Sequence, residues 1–343
     1  MFIMRAWVVE KTGPLCPENF KLATLPDPVP SVGEILIKVK ACGVCHTDLD
    51  EVEGRVEPTF LPIIPGHQIV GEVVEIGEGV KGFKVGDRVG AGWIWSSCGR
   101  CEFCSRGLEN LCPSFKGTGK DAHGGYAEYF LIKEDFAFPL PQGMEDKFLA
   151  PFFCAGSIGF RALKLAKVSE GATLGLLGFG ASNHLVLKMA KALYPQIKIF
   201  VFTRSPKAKE LAQSLGADFV GDLEEGREMS LDALIDTTPA WKPPFFALRF
   251  LKPGGRLIIN AISKEEGDKD SLLALSYQRD LWMEREIKTV ANITREDIRE
   301  FLYLAQRLNI KPDIEFYPFE EALQALLDIK NRKIKGAKVL IVS

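Results

Sequence analysis

Apolar positions along the chain change texture once, near residue 155. Before that point, short runs rich in β-branched and aromatic residues recur between glycines and prolines. Glu34 to Val39 (EILIKV), Ile69 to Ile76 (IVGEVVEI) and Tyr126 to Ile132 (YAEYFLI) read as strands, with Gly77, Gly79, Gly82 and Gly86 punctuating their connections. Beyond it, strand-like and helix-like runs alternate. Thr173 to Leu177 reads as a short buried strand, and Asn183 to Leu193 (NHLVLKMAKAL) has helical periodicity. A strand at Lys198 to Phe202, a helix at Lys207 to Leu215 and strands at Ala233 to Asp236 and Arg256 to Asn260 follow. Such alternation predicts an α/β unit with a parallel, doubly wound sheet. A helix near Ala322 to Lys330 and a strand at Lys338 to Val342 close the pattern, and no repeat or low-complexity tract interrupts it.

Length and charge narrow the function classes. A chain of 343 residues exceeds a comfortable single core, so two domains are expected. Hydrophobic residues make up 46% and charged residues 26%, the balance of an ordinary globular protein. A net charge of −2 offers no basic field for nucleic acid, and no apolar run approaches the ~20 residues of a membrane span. The first stretch, MFIMRAWVVE, sets its basic residue inside a strand-like pattern and lacks a signal-peptide layout, so the cytoplasm is the expected location.

Chemistry concentrates between Lys40 and Gly71, KACGVCHTDLDEVEGRVEPTFLPIIPGHQIVG. Cys45 and His67 are residue types zinc prefers, and a catalytic zinc takes three protein ligands with one position open. Each residue alone reads better as a buried thiol or a core histidine; together, with Gly66 before the histidine and Thr47-Asp48 after the first pair, they point to an open metal site. A second cluster, SCGRCEFCSRGLENLC, places Cys98, Cys101, Cys104 and Cys112 in the spacing C-x2-C-x2-C-x7-C. Four thiolates at that density close a tetrahedron around zinc, with an iron–sulfur cluster as the competing reading. Cys16 and Cys42 are left as unligated thiols. Leu174 to Asn183 (LGLLGFGASN) runs from strand through glycine loop into helix, the layout that brings backbone up to a pyrophosphate. Its third glycine is Asn183, so either the helix packs further from the sheet or Asn183 finds a hydrogen bond. At the end of the next strand stand Thr203, Arg204 and Ser205, with no carboxylate for a ribose 2′-hydroxyl. A missing acid with an arginine present favours NADP(H) over NAD(H).

Gly43-Val44-Cys45-His46-Thr47-Asp48 and Gly66-His67-Gln68-Ile69-Val70-Gly71 resemble the G-[VI]-C-[HR]-[ST]-D and G-H-E-x-x-G patterns of the zinc-dependent alcohol dehydrogenases, in the medium-chain dehydrogenase/reductase family. The resemblance runs through essentially the whole chain. It implies a β-rich GroES-like catalytic domain over 1–155 and 292–343, carrying a structural-zinc lobe at about 93–113, and a Rossmann-type cofactor domain over 156–291. It makes the second cluster a structural zinc site. It makes Cys154, in Cys154-Ala155-Gly156, the third catalytic ligand beside Cys45 and His67, with Asp48 orienting His67. Thr47 would accept a hydrogen bond from the alcohol and pass its proton outward. His46 would lie at the cofactor pyrophosphate, and Gly178, Gly180, Ala181, Ser182, Asn183 and Lys335 complete the expected cofactor contacts. Trp93 matches a substrate-pocket aromatic, and Trp95 and the aromatics around Phe152 join it in an expected apolar pocket.

The reaction so implied is reversible oxidation of an alcohol to an aldehyde or ketone, by a homo-oligomer, dimer or tetramer, holding two zinc ions per chain. Three positions depart from the pattern. Gln68 replaces the usual glutamate, removing a negative charge near zinc. Asp50 stands where many members carry the histidine ending a proton relay, and is expected as a solvent-facing helix residue. Ile158 replaces a common threonine near the nicotinamide. Two rival readings remain: a zinc-free quinone or enoyl reductase of the same superfamily, against which the intact ligand set argues, and a non-catalytic zinc-binding protein in which Gln68 and Asp50 mark a decayed site.

Overall fold

Strand-forming sequence at the start of the chain folds into a hairpin. The computed structural model describes residues 3–333 and 335–343, so Met1 and Phe2 of the first strand-like stretch lie outside it. Strands β1 (Ile3–Val9) and β2 (Phe20–Pro26) pair antiparallel along their whole length. The long β3 (Glu34–Val44) leads directly into helix α1 (His46–Glu53). Next come β4 (Gln68–Ile76), β5 (Arg88–Ala91), the short ribbon of β6 (Ile94–Ser96) and β7 (Lys116–Gly117), then β8 (Tyr129–Lys133) and β9 (Ala137–Pro139). The strand expected from Tyr126 begins only at Tyr129. Before it, the peptide groups of Gly124, Gly125 and Tyr126 donate to the carbonyls of Ile64, Gly66 and Pro65 at 2.7–3.0 Å, which ties Tyr126 to the segment carrying His67.

The regular part follows: α2 (Ala155–Ala166), β10 (Thr173–Leu177), α3 (Ala181–Leu193), β11 (Lys198–Phe202), α4 (Pro206–Ser214), β12 (Phe219–Gly221), β13 (Leu231–Asp236), β14 (Leu251–Ile259) and β15 (Glu286–Thr289). These six strands are all parallel, in the order β12-β11-β10-β13-β14-β15. In chain order that is 3-2-1-4-5-6, the Rossmann arrangement, whose strand order reverses beside β10. Leucine, isoleucine, valine and phenylalanine dominate β10, β11 and β13 because helices cover both faces of the sheet.

Helix α5 (Arg295–Arg307) buries Ile298, Phe301, Leu302 and Ala305 on one side. It begins at a reciprocal cap: the Thr294 hydroxyl accepts from Asp297 N at 3.1 Å, while Asp297 accepts from Thr294 N at 3.0 Å. Strand β16 (Ile314–Pro318), helix α6 (Ala322–Lys330) and strand β17 (Ala337–Ile341) then return to the first part of the chain. The second sheet has the order β16-β17-β3-β4-β5-β9, with β8 also on β3. Strand β17 lies antiparallel to β3, Lys338 opposite Val44.

Candidate active site

Local sequence brings the first two groups together. Cys45 ends β3 in an extended conformation (φ −136°, ψ 177°) and caps α1, so Asp48 folds back and accepts from Cys45 N at 2.8 Å. Strand β4 pairs with β3 so that Gln68 opposes Gly43, which sets His67 beside the start of α1. Gly66 is obligatory there: its φ is +96°, and a Cβ would stand 2.2 Å from the Tyr126 ring. Asp48 then lies 2.8 Å from His67 Nδ1 and accepts the Tyr126 hydroxyl at 3.0 Å. With Nδ1 held, His67 Nε2 faces Cys45 Sγ at 3.4 Å. Cys154 caps α2 and completes the group, the three donor atoms lying within 4.8 Å of one another.

This donor set fits a metal ion. Tetrahedral zinc, at ~2.3 Å from sulfur and ~2.05 Å from nitrogen, sets sulfur and nitrogen about 3.6 Å apart and two sulfurs about 3.8 Å apart. The three donors also perturb one another electrostatically. The neighbouring Cys154 thiol and burial hold Cys45 well above the ordinary thiol range. Burial alone would lower His67; Asp48 and Cys45 outweigh it and hold the imidazole well above its usual range. A divalent cation would relieve both by taking the thiolates and the free Nε2.

Around this group the structure corrects one expectation. Asp50 does not face solvent: it is 2% exposed, accepts from Arg55 Nε at 2.5 Å and lies 3.6 Å from His46 Nε2. Burial raises its pKa, opposed by His46 and Arg55. Position 50 sits on the inner side of α1, where Arg55 has folded over it; a pattern of one short helix does not show that cover. Thr47 and His46 are half-buried on the first turn of α1. Of the expected pocket aromatics, Trp93 stays with the site, its Nε1 donating to Glu51 Oε1 at 3.3 Å. Phe152 is fully buried against Phe301, with ring centres 5.0 Å apart, and Trp95 donates to Leu131 O on β8. Ile158 is half-buried on the first turns of α2.

The second cysteine cluster is assembled within one loop. Cys98, Cys101, Cys104 and Cys112 have sulfurs within 4.8 Å of one another; Cys98 and Cys104 are 3.9 Å apart, close to the tetrahedral spacing. Backbone N–H groups of Arg100 and Cys101 draw the Cys98 thiol down to about 6; at Cys101 the Cys104 N–H pulls the same way, but burial and the neighbouring thiols Cys104, Cys98 and Cys112 outweigh it and push the thiol up to about 11. Four crowded sulfurs cannot all ionise without a cation between them. The lobe is pinned to the chain's later part, since Asn110 Nδ2 donates to Ala291 O at 2.7 Å and Glu109 accepts from Arg295 N at 2.6 Å.

At the reversal point of the parallel sheet, β10 ends in Gly178-Phe179-Gly180 and α3 begins at Ala181. Gly178 has φ +74°, and a Cβ there would press on Thr237 and Thr238 at 3.1 Å. Asn183, in place of the third glycine, does find partners: its Nδ2 donates to Gly178 O at 2.8 Å, and to Leu177 O and Thr237 Oγ1 at 3.1 Å. It knits the loop to the sheet from within. Helix α2 packs close to this helix, since a Cβ at Gly159 would meet Ser182 Oγ at 3.0 Å. The helix capped by Cys154 thus abuts the start of the cofactor helix. Thr203, Arg204 and Ser205 follow β11 beside Gly178, whose N–H donates to Phe202 O at 2.9 Å; Arg204 is exposed and Ser205 caps α4. Lys335 is exposed, remote in sequence from that loop.

Sequence reading assigned no role to Glu51, Tyr126 or His184. Glu51 could have been noticed as an acid three positions after Asp48, on the same helix face. Tyr126 and His184 carry no such signal, because their partners come from distant segments.

Comparison with known proteins fits this architecture. Residues 31–142 match the alcohol dehydrogenase GroES-like domain. A probable alcohol dehydrogenase, AdhA, of Mycobacterium tuberculosis (strain CDC 1551 / Oshkosh) is 40% identical over 344 residues, covering 99% of this chain and 97% of its own. An alcohol dehydrogenase of Geobacillus stearothermophilus is 34% identical over 318 residues, covering 90% of this chain and 91% of its own. Among solved structures, a cobalt- and zinc-bound thermostable alcohol dehydrogenase from Pyrobaculum aerophilum superimposes with a TM-score of 0.84, at 26% identity, covering 99% of this chain and 100% of that one. The chain belongs to the zinc-dependent alcohol dehydrogenases of the medium-chain dehydrogenase/reductase family, and it is an oxidoreductase. Among the described residues no single helix is long and apolar enough to cross a membrane.

Proposed function

We propose that this chain interconverts a small alcohol and its aldehyde or ketone, transferring hydride to NADP in preference to NAD, with two zinc ions per chain. The observation that carries the reading is the meeting of Cys45, His67 and Cys154, with the helix capped by Cys154 packed against the start of the cofactor helix. Cys45, His67 and Cys154 would hold the catalytic zinc, and Cys98, Cys101, Cys104 and Cys112 the structural one. When bound, zinc polarises the substrate oxygen and the nicotinamide exchanges the hydride.

The chain's own residues do the rest. Asp48 fixes the tautomer of His67 by holding Nδ1, so that Nε2 stays presented. Thr47, half-buried on the first turn of α1, would accept a hydrogen bond from the alcohol and, as it takes that proton, release its own outward to solvent. Asp50 accepts from Arg55 and lies 3.6 Å from His46, holding both side chains for the cofactor phosphates, and is not itself the proton's destination. Gly178, Gly180, Ala181, Ser182 and Asn183 would cradle the pyrophosphate, and Thr203, Arg204, Ser205 and Lys335 the adenosine end, where Arg204 favours a 2′-phosphate. Domain boundaries at 1–155 with 292–343, and 156–291, are consistent with β17 lying on β3. A homo-oligomer working in the cytoplasm completes the reading; β15 leaves an open, exposed sheet edge beside exposed Trp282, Met283 and Ile287. Metal analysis and cofactor kinetics test the proposal together. Close to two zinc per chain and faster turnover with NADP than NAD are expected; a metal-free active enzyme would overturn it.

A further inference from the structure

Glu51 is fully buried, forms no ion pair among the described residues, and has one carboxylate oxygen, Oε2, with no hydrogen-bond partner. Its other oxygen accepts only the Trp93 indole, at 3.3 Å. A buried carboxyl group so poorly satisfied is costly unless a cation lies near. Glu51 follows Asp48 by three positions on α1, so both side chains leave the same helix face. Oxygens of both and a ring nitrogen of His67 lie within 4.8 Å of one another. The unpaired oxygen is turned toward the Gly119 and Gly66 backbone: a Cβ at Gly119 would stand 3.1 Å from Oε2 and 3.1 Å from Gly66 N. Position 68, adjacent to His67, meanwhile carries a neutral and buried Gln68, folded over Gly43.

We infer that Glu51 is a positioning residue of the catalytic metal centre, supplying behind His67 the acidic group that position 68 lacks in this chain. The inference rests on the proposed zinc at Cys45, His67 and Cys154. Two carboxyl groups then back the histidine: Asp48 at 2.8 Å from Nδ1, and Glu51 through the field of its buried, unpaired oxygen.

The test measures zinc retention against a chelator, site by site, with the visible spectrum of the cobalt-substituted protein as a second readout. Glu51→Gln keeps the volume and an acceptor for Trp93 while removing the charge. It should weaken zinc at the catalytic site roughly ten- to a hundredfold, leave the structural site unchanged, and shift the cobalt bands. Glu51→Gln combined with Gln68→Glu should recover retention to within a few-fold of the original chain. Trp93→Phe, which removes the indole hydrogen bond and some ring volume but no charge, should leave retention nearly unchanged. Unaltered retention in Glu51→Gln, no recovery in the double variant, or failure of Glu51→Gln to fold without metal would each overturn the inference. An original chain that binds only one zinc per molecule would instead sink the catalytic-zinc reading itself.

Discussion

The two cysteine clusters solve one coordination problem in opposite ways. Cys98, Cys101, Cys104 and Cys112 come from a single loop, and three of the four are only half-buried. Cys45, His67 and Cys154 come from the end of β3, the start of β4 and the cap of α2, and meet only when the long-range ladder between β3 and β4 is in register. On the proposed assignment, an ion at the loop site would close the loop and so contribute local stability. An ion at the distant site would sit where the β3–β4 ladder has already gathered its ligands, leaving it free for chemistry. The difference teaches that ligand density along the chain separates a structural site from a reactive one.

The sharpest break in that comparison is Cys45→Ser or His67→Ala. Either should lower kcat/KM roughly a thousandfold or more, since several kcal/mol of Lewis-acid stabilisation is lost, while far-UV circular dichroism and the lobe's metal stay unchanged. Loss of both metals together would erase the distinction. Cys104→Ser should do the reverse: one zinc fewer, a melting temperature lower by several degrees, and turnover per folded molecule largely kept.

His184 extends the comparison to a second group held by distant partners. It lies in α3 with Nδ1 on Gly180 O at 3.1 Å, and Nε2 accepts from Asp313 N at 3.1 Å. Burial lowers its pKa from 6.5 to about 4. Between those values the unfolded chain binds a proton that the folded chain refuses, so stability is full above pH ~6.5 and falls as pH drops toward 4, by about 3 kcal/mol. Thermal melting from pH 7 to 4 should show that slope, flattened in His184→Asn. Arg204→Ala probes a locally built site. NADPH binding should weaken roughly ten- to a hundredfold, a charge-assisted contact being worth ~1.5–3 kcal/mol, with NADH little affected; equal loss for both would remove Arg204 from the phosphate. Asp50→Asn should give the smallest effect, a several-fold rise in cofactor KM with kcat retained. A fall in kcat with a changed pH profile would put Asp50 in the proton path instead.

The same contrast decides how much could be read from the chain beforehand. Strands Thr173–Leu177 and Lys198–Phe202 and helix Ala322–Lys330 are found at the expected bounds, because each is bounded by a glycine loop, polar residues or a helix stop. The four-cysteine spacing was legible for the same reason: its ligands are neighbours in sequence. Cys154 was legible only through family resemblance, since one thiol on a helix cap has no periodicity to betray it. Asp50 was misplaced and Glu51 passed over because their burial is created by Arg55, Trp93 and the 117–121 loop, all outside the helix that carries them.

Strand β17 pairs with β3 across about 300 residues of chain, Lys338 meeting Val44. On the ribosome, the parallel sheet between them is continuous and can close as it emerges, whereas the sheet beneath Cys45 must wait with an unpaired edge until residues 337–341 have been made. Nascent chains should therefore acquire dinucleotide affinity before they acquire a competent metal centre. Any metal delivered early would meet scattered ligands and a half-built sheet.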